Sequence, residues 1–202
     1  MILIVTLGFE EKFQVRAVMR NNSNLEKVII IGYFNEEKSQ KALKSFSDFL
    51  KIANINQEIL EVDPHDFFEV ISKLSKVILS NQGNEFVVNL SGGMRSLTLA
   101  VFSTFLILNI DAKVEIETED FKTLITFKIS DILFPKSIGD DHIMILNAIK
   151  KGYKTVNSIH KVLNMPVSTV WRRVRELREL GLLDKNNEIT TKGEIALKIY
   201  LS

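Results

Sequence analysis

Over the first 130 positions, short runs of consecutive apolar residues alternate with longer stretches whose apolar residues recur every three to four. The first kind suits strands buried on both faces; the second suits helices with one face turned to a core. Ile2–Leu7 reads as a strand ending in Gly8. Residues 10–20 follow as a helix with Arg16 and Arg20 toward its end, where the helix dipole favours cations. Residues 28–31 form a second strand closed by Gly32. Asn35 is the expected cap of a long helix carrying Ala42, Leu43, Phe46, Phe49, Leu50 and Ala53 at helical spacing. A third strand is expected over 55–62. Asp63 then caps a helix, with Pro64 at its first position and Phe67, Val70, Ile71, Leu74, Val77 and Ile78 turned inward. Residues 85–90 form a fourth strand and 97–110 an almost wholly apolar helix. Lys113–Glu117 and residues 121–128 alternate instead across a short acidic turn, the pattern of an antiparallel hairpin at a sheet edge. Apolar strands joined by helical crossovers of this length predict an α/β fold, a mainly parallel, doubly wound sheet with a terminal β-hairpin.

The helix over 97–110 is apolar on nearly every face, so it needs cover beyond its sheet. A second copy across a dimer interface and this domain's own helices are the two ways to supply it. Around 131–140 the periodicity lapses, with Pro135, Ser137 and Gly139 marking a linker. The expected domains are therefore 1–133 and 138–202.

The second domain reads as helix, helix, helix, hairpin, helix. Residues 141–151 place Ile145, Leu146 and Ile149 on one face before Gly152, Thr155 caps a short second helix, and Pro166 opens a third that runs through Leu180. That order is a winged helix-turn-helix, in which the third helix is the one that enters the DNA major groove. On the third helix Val167, Val170, Val174 and Leu177 gather as core. Ser168, Arg172 and Arg175 lie opposite, beside Thr169, with Trp171 and Arg178 on a shoulder. The alternative for that face is a solvated surface in which Arg172–Glu176 and Arg175–Glu179 pair at i,i+4, the less favourable order for a helix. Residues 181–190 form the wing, with Asn186-Asn187 at its turn, and bring Lys185 and Lys192 toward phosphates.

Charge follows the same division. Residues 140–202 hold eleven Lys and Arg against seven Asp and Glu, whereas residues 1–139 hold fifteen against eighteen. A mildly basic end on a mildly acidic body fits a nucleic-acid module on a regulatory or catalytic body, with double-stranded DNA as partner. The chain has no cysteine, which excludes disulfides and thiolate catalysis and fits a cytoplasmic protein. His65, His142 and His160 are scattered without metal-ligand spacing, so neither a metal nor a cofactor is expected. The start lacks a basic leader, and the run from Leu97 is too short and hydroxyl-broken to span a bilayer, so no signal peptide or membrane partner is expected.

The candidate chemistry sits in Asn89-Leu90-Ser91-Gly92-Gly93-Met94-Arg95-Ser96, where a strand, a glycine turn and a helix meet. Two glycines admit positive φ and close approach to a ligand, and the helix start beyond them leaves N–H groups facing outward for an anion. Arg95 adds a charged fork that matches phosphate geometry. The spacing is neither the dinucleotide turn nor the P-loop. A turn that uses glycine only to pack tightly is the alternative. No acid–base pair, nucleophile triad or metal cluster stands out.

Taken together, the chain resembles the CARF–winged-helix transcription regulators of archaeal CRISPR antiviral systems, CARF being the CRISPR-associated Rossmann-fold sensor. Two places carry the resemblance: Val5-Thr6-Leu7-Gly8-Phe9, and Leu90-Ser91-Gly92-Gly93-Met94-Arg95. It implies a homodimer whose paired sensors bind a cyclic oligoadenylate, cyclic tetra-adenylate first, through Gly8, Phe9, Ser91, Gly92, Gly93, Met94, Arg95 and the adjoining Ser96. It also implies that ligand binding resets the winged helices on DNA. Two alternatives stay open. One is a metal-independent ring nuclease, with Arg95 and Ser91 stabilising the charge that develops as the ribose 2′-hydroxyl attacks its phosphate. The other is a regulator that senses a different anionic small molecule.

Overall fold

The protein is described here by a computed structural model covering residues 1–134 and 138–201. It divides into two compact units, Met1–Ile129 and Ser130–Ser202. Pro135 and Ser137 of the expected linker lie outside the described residues.

The first unit alternates β1 (Ile2–Leu7), α1 (Lys12–Asn21), β2 (Lys27–Gly32), α2 (Glu37–Ile52), β3 (Asn56–Glu61), α3 (Phe67–Ser80), β4 (Phe86–Asn89), α4 (Arg95–Leu108) and β5 (Lys113–Glu117), then closes with β6 (Leu124–Lys128). The sheet order is β3-β2-β1-β4-β5-β6, parallel throughout except for the β5–β6 hairpin. β1 and β2 are buried along nearly their whole length, which is why they read as unbroken apolar runs. Ala17 and Val18 of α1 and Ala42, Phe46 and Leu50 of α2 pack with Leu3, Val5, Val28 and Ile30. α3 lies against α4 and buries Val70, Leu74 and Ile78 at fourfold spacing.

The chain winds outward from β1 to β3, then returns to the other side of β1 to lay down β4. The strand order therefore reverses between β1 and β4, the crevice where open α/β sheets accept ligands at their strands' carboxyl ends.

Two caps differ from expectation. α3 starts at Phe67, capped by Asp66, whose Oδ1 accepts from Glu69 N at 2.9 Å. Asp63 instead closes a tight turn on itself, accepting from His65 N and meeting His65 Nδ1, so Pro64 precedes the helix. α2 is entered from Glu36 rather than Asn35, without a side-chain cap.

After a one-turn helix α5 (Ile129–Ile132), the second unit consists of α6 (Asp140–Lys150), α7 (Val156–Leu163), α8 (Val167–Glu179) and α9 (Thr191–Tyr200). Ile145, Leu146, Ile149, Ile159, Val170, Val174, Leu177, Leu182 and Leu197 form its core. Val167 differs from its expected place. It opens α8 and stays 45% exposed, and burial begins one turn later at Val170. Thr155 caps α7 through Ser158 N, as its position predicts. A single bridge, Leu183↔Ile189, forms the wing's ladder.

Candidate functional site

The Gly-Gly turn leaves β4 at the sheet's reversal point and is pressed onto the end of β1. Gly93 holds φ +83°, and a Cβ there would lie 2.9 Å from Thr6 Cβ. A Cβ on Gly92 would meet Gln14 Nε2 at 2.3 Å and Thr6 O at 3.3 Å, while one on Gly8 would meet Gly93 Cα at 3.2 Å. Gly93 is thus required by its backbone and by Thr6, while Gly8 and Gly92 let the two loops approach closely. Thr6 Oγ1 donates to Gly92 O, and Gln14 Nε2 donates to Thr6 O from beneath. Ser91 Oγ accepts from Glu117 N at 2.8 Å, which pins the turn to the end of β5 and leaves the hydroxyl proton to donate elsewhere.

α4 begins immediately beyond. Its cap, Met94, has extended backbone and supplies no side-chain acceptor to the first-turn N–H groups. A cleft of about 430 Å³ opens here, lined by Ser91, Gly92, Gly93 and Arg95 at one end and by Leu99, Phe102, Ile116 and Phe127 along its wall. Glu119 of the β5–β6 turn also lines it. Of the candidate ligand residues, Ser91, Gly92, Gly93 and Arg95 line this cleft and Gly8 abuts Gly93. Phe9 and Met94 are exposed and do not line it, and Ser96 is half-buried in the first turn of α4.

Sequence reading missed the charges that hold this rim. Glu115 and Glu117 on β5 have side chains 1% and 3% exposed. Arg16 clasps Glu117 with Nε at 2.7 Å and Nη2 at 2.6 Å, and Arg20 spans both acids at 2.9 and 3.3 Å. Lys113 completes the set on Glu115 at 2.8 Å. Burial pushes the Glu117 carboxyl up, but the hydrogen bonds from Arg16 and Arg20 outweigh it and hold it below the ordinary carboxylate range. Arg16 also lies over the Phe121 ring, 5.3 Å from its centroid, and Phe121 stacks on Phe13 at 4.8 Å. This contact holds Phe121 at φ +57°, a conformation that bulky residues rarely adopt.

In the second unit Ser168, Trp171, Arg172 and Arg175 lie exposed on one side of α8, with Thr169 half-buried between them. Arg175 donates to Glu179 at 3.0 Å and lies over Trp171 at 5.9 Å, while Arg172 approaches Glu176 at 3.9 Å. Both i,i+4 pairs are therefore present. Exposed pairs of this kind contribute roughly 0–1 kcal/mol, so phosphate oxygens can replace the carboxylates at small cost. Arg173 turns the other way, to Asp141 and Glu176, and Glu176 also meets the buried His142 at 2.9 Å. Hydrogen bonds from Arg173 and His142 hold the Glu176 carboxyl below its ordinary range. Lys185 is exposed at the wing tip and Lys192 half-buried on α9.

Among the described residues no group of three His, Cys, Asp or Glu is arranged to hold a metal, and no helix is long and apolar enough to cross a membrane.

The Csa3 CRISPR-associated Rossmann-like domain family matches residues 1–128. A wHTH-PRTase-associated family matches residues 143–201. No curated protein matches the chain. Among solved structures, Can2 from Sulfobacillus thermosulfidooxidans in complex with cyclic tetra-adenylate superimposes with a TM-score of 0.51 and 13% identity, over 98% of this chain and 62% of that one. A Vibrio cholerae protein superimposes with a TM-score of 0.51 and 12% identity, over 96% and 56%. Enterococcus italicus Csm6 bound to cyclic hexa-2'-fluoro-hexa-dAMP gives 0.52 and 12%, over 88% and 54%. The chain thus spans little more than half the length of these structures, and the likeness is one of fold.

Proposed function

The chain belongs to the family of the Csa3 CRISPR-associated Rossmann-like domain, and on that footing we propose that it is a cytoplasmic transcription regulator that binds a cyclic oligoadenylate and, through its winged helices, double-stranded DNA. The sensor is residues 1–133 and the DNA-binding module 138–202. The observation that carries the reading is the Gly92–Gly93 turn, packed on Gly8 at the reversal point of the sheet and backed by the uncapped start of α4. Backbone N–H groups and the Arg95 fork suit a phosphodiester, and the apolar wall of Leu99, Phe102 and Phe127 suits a base. Can2 and Csm6 share this fold in complexes with cyclic oligoadenylates, which supports the same ligand class here, with cyclic tetra-adenylate first.

The ligand is symmetric, and a two-fold pair of sensors matches it. α4 leaves Leu99 56% and Ile107 65% exposed, and β6 leaves Ile125 48% exposed. A second copy covering this apolar face makes the homodimer. Gly8, Phe9 and Ser91 to Ser96 form the ligand site, and Ser168, Thr169, Trp171, Arg172, Arg175, Lys185 and Lys192 form the DNA face. The ring controls DNA affinity by binding one of two dimer arrangements more tightly than the other.

Incubation with radiolabelled cyclic tetra-adenylate without metal, run on native and denaturing gels, tests the sensor. A retarded, intact ring is expected. Shorter linear products would instead assign ring cleavage to the Ser91–Arg95 turn. A ring that is neither retarded nor cut, with the hexa-adenylate ring behaving alike, would leave some other anion as the ligand.

A further inference from the structure

The wing is too short to hold itself. Among the described residues, one bridge is its entire ladder, and an isolated two-stranded hairpin is marginal in water. Its tip is instead held from outside. Arg178 on α8 donates from both Nε and Nη2 to Asn187 Oδ1, at 2.9 and 2.6 Å. Asn187 takes the left-handed conformation, φ 62°, and its N–H donates to Asp184 O. Asp184 Oδ1 accepts in turn from the backbone N–H groups of Asn186 and Glu188, at 2.8 and 2.7 Å. Lys154 adds a second strap, reaching Glu188 Oε1 at 2.5 Å. Two cations of the basic unit are thereby committed to the protein. Lys185, between the strapped residues, is exposed, and among the described residues its side chain has no partner.

We propose that Arg178 and Asn187 form a clamp that positions Lys185 against a backbone phosphate of bound duplex DNA. The proposal rests on the DNA-binding reading above. Arg178 is then a positioning residue rather than a DNA contact, although its place on the shoulder of α8 suggests the opposite. The physical gain is preorganisation. A clamped tip has already lost the freedom that a loose wing would lose on binding, and an unclamped Lys185 makes no phosphate contact because that cost exceeds the small gain of one exposed ion pair.

Asn187→Gly is the informative variant. It deletes the acceptor, removes no charge and keeps a backbone that tolerates positive φ. The full chain is titrated with a labelled mixed-sequence duplex over a salt series, as wild type, N187G, K185A and the double variant. Loss of one phosphate contact reduces the slope of log affinity against log salt by about 0.9. Each single variant is expected to lose that amount and the double variant no more, while N187G keeps the helical circular dichroism of the wild-type fold at the temperature of the titration. A wild-type slope in N187G or in K185A, or losses that add in the double variant, would overturn the clamp. A wild-type chain that leaves the duplex unshifted at low salt would overturn the DNA-binding reading itself, and the clamp with it.

Discussion

Gly93 and Arg95 sit two positions apart and should fail in different ways. Gly93 has positive φ, and a Cβ would press on Thr6. Gly93→Ala is therefore expected to cost about 1–3 kcal/mol in chemical denaturation. Arg95 is exposed and makes no ion pair among the described residues. Arg95→Ala should leave stability within about 0.5 kcal/mol of wild type while weakening cyclic tetra-adenylate binding by at least tenfold, about 1.4 kcal/mol for a charged hydrogen bond. Unchanged ring affinity in a folded Arg95→Ala protein would remove its phosphate role. The glycine pair was legible in the sequence because positive φ and close approach are demands that few residues meet. Gly8 reads by itself only as a strand end, and it enters the candidate site through the family resemblance. Its contact with Gly93 comes from β1 and β4 being neighbours, and no local pattern states that.

Elements that bury one face could be read from spacing alone, and their ends only in part. Asp63-Pro64 and Asp66 both satisfy the rules for a helix start, and the fold uses the second because Asp63 closes a turn with His65. β5 was readable as an alternating strand, but not the reason its acids are tolerated inside. Glu117 and Arg16 are 101 positions apart, and their pairing depends on α1 lying over the β5 side of the sheet. The pair has a pH consequence. Because the folded pKa of Glu117 is lowered, its stabilising contribution is complete above the unfolded value, about 4.3, and is lost as pH falls through the folded value. Thermal midpoints measured downward from about pH 5 should fall more steeply for wild type than for Glu117→Gln. Parallel curves would show that Glu117 contributes no acid sensitivity.

For the whole molecule, composition and charge suggested two units, and the periodic pattern suggested a sheet. Neither could give the strand order that puts the Gly-Gly turn beside β1. The apolar helix 97–110 posed a choice of cover that the fold answers in part. Leu97, Ala100, Val101 and Phe105 are buried within the unit, whereas Leu99 and Ile107 stay exposed, the face proposed above for a second copy. Ile107→Glu should shift sedimentation from dimer toward monomer and weaken ring binding with it. An unaltered dimer would place the interface elsewhere.

Under the proposed function, occupancy of the glycine turn changes how the winged helices hold DNA. The direct measurement is the affinity of the full chain for a labelled mixed-sequence duplex, with and without saturating cyclic tetra-adenylate, for wild type and Arg95→Ala. The midpoint is expected to move with the ring in wild type and to stay fixed in Arg95→Ala. Coincident midpoints with and without bound ring in wild type would contradict it.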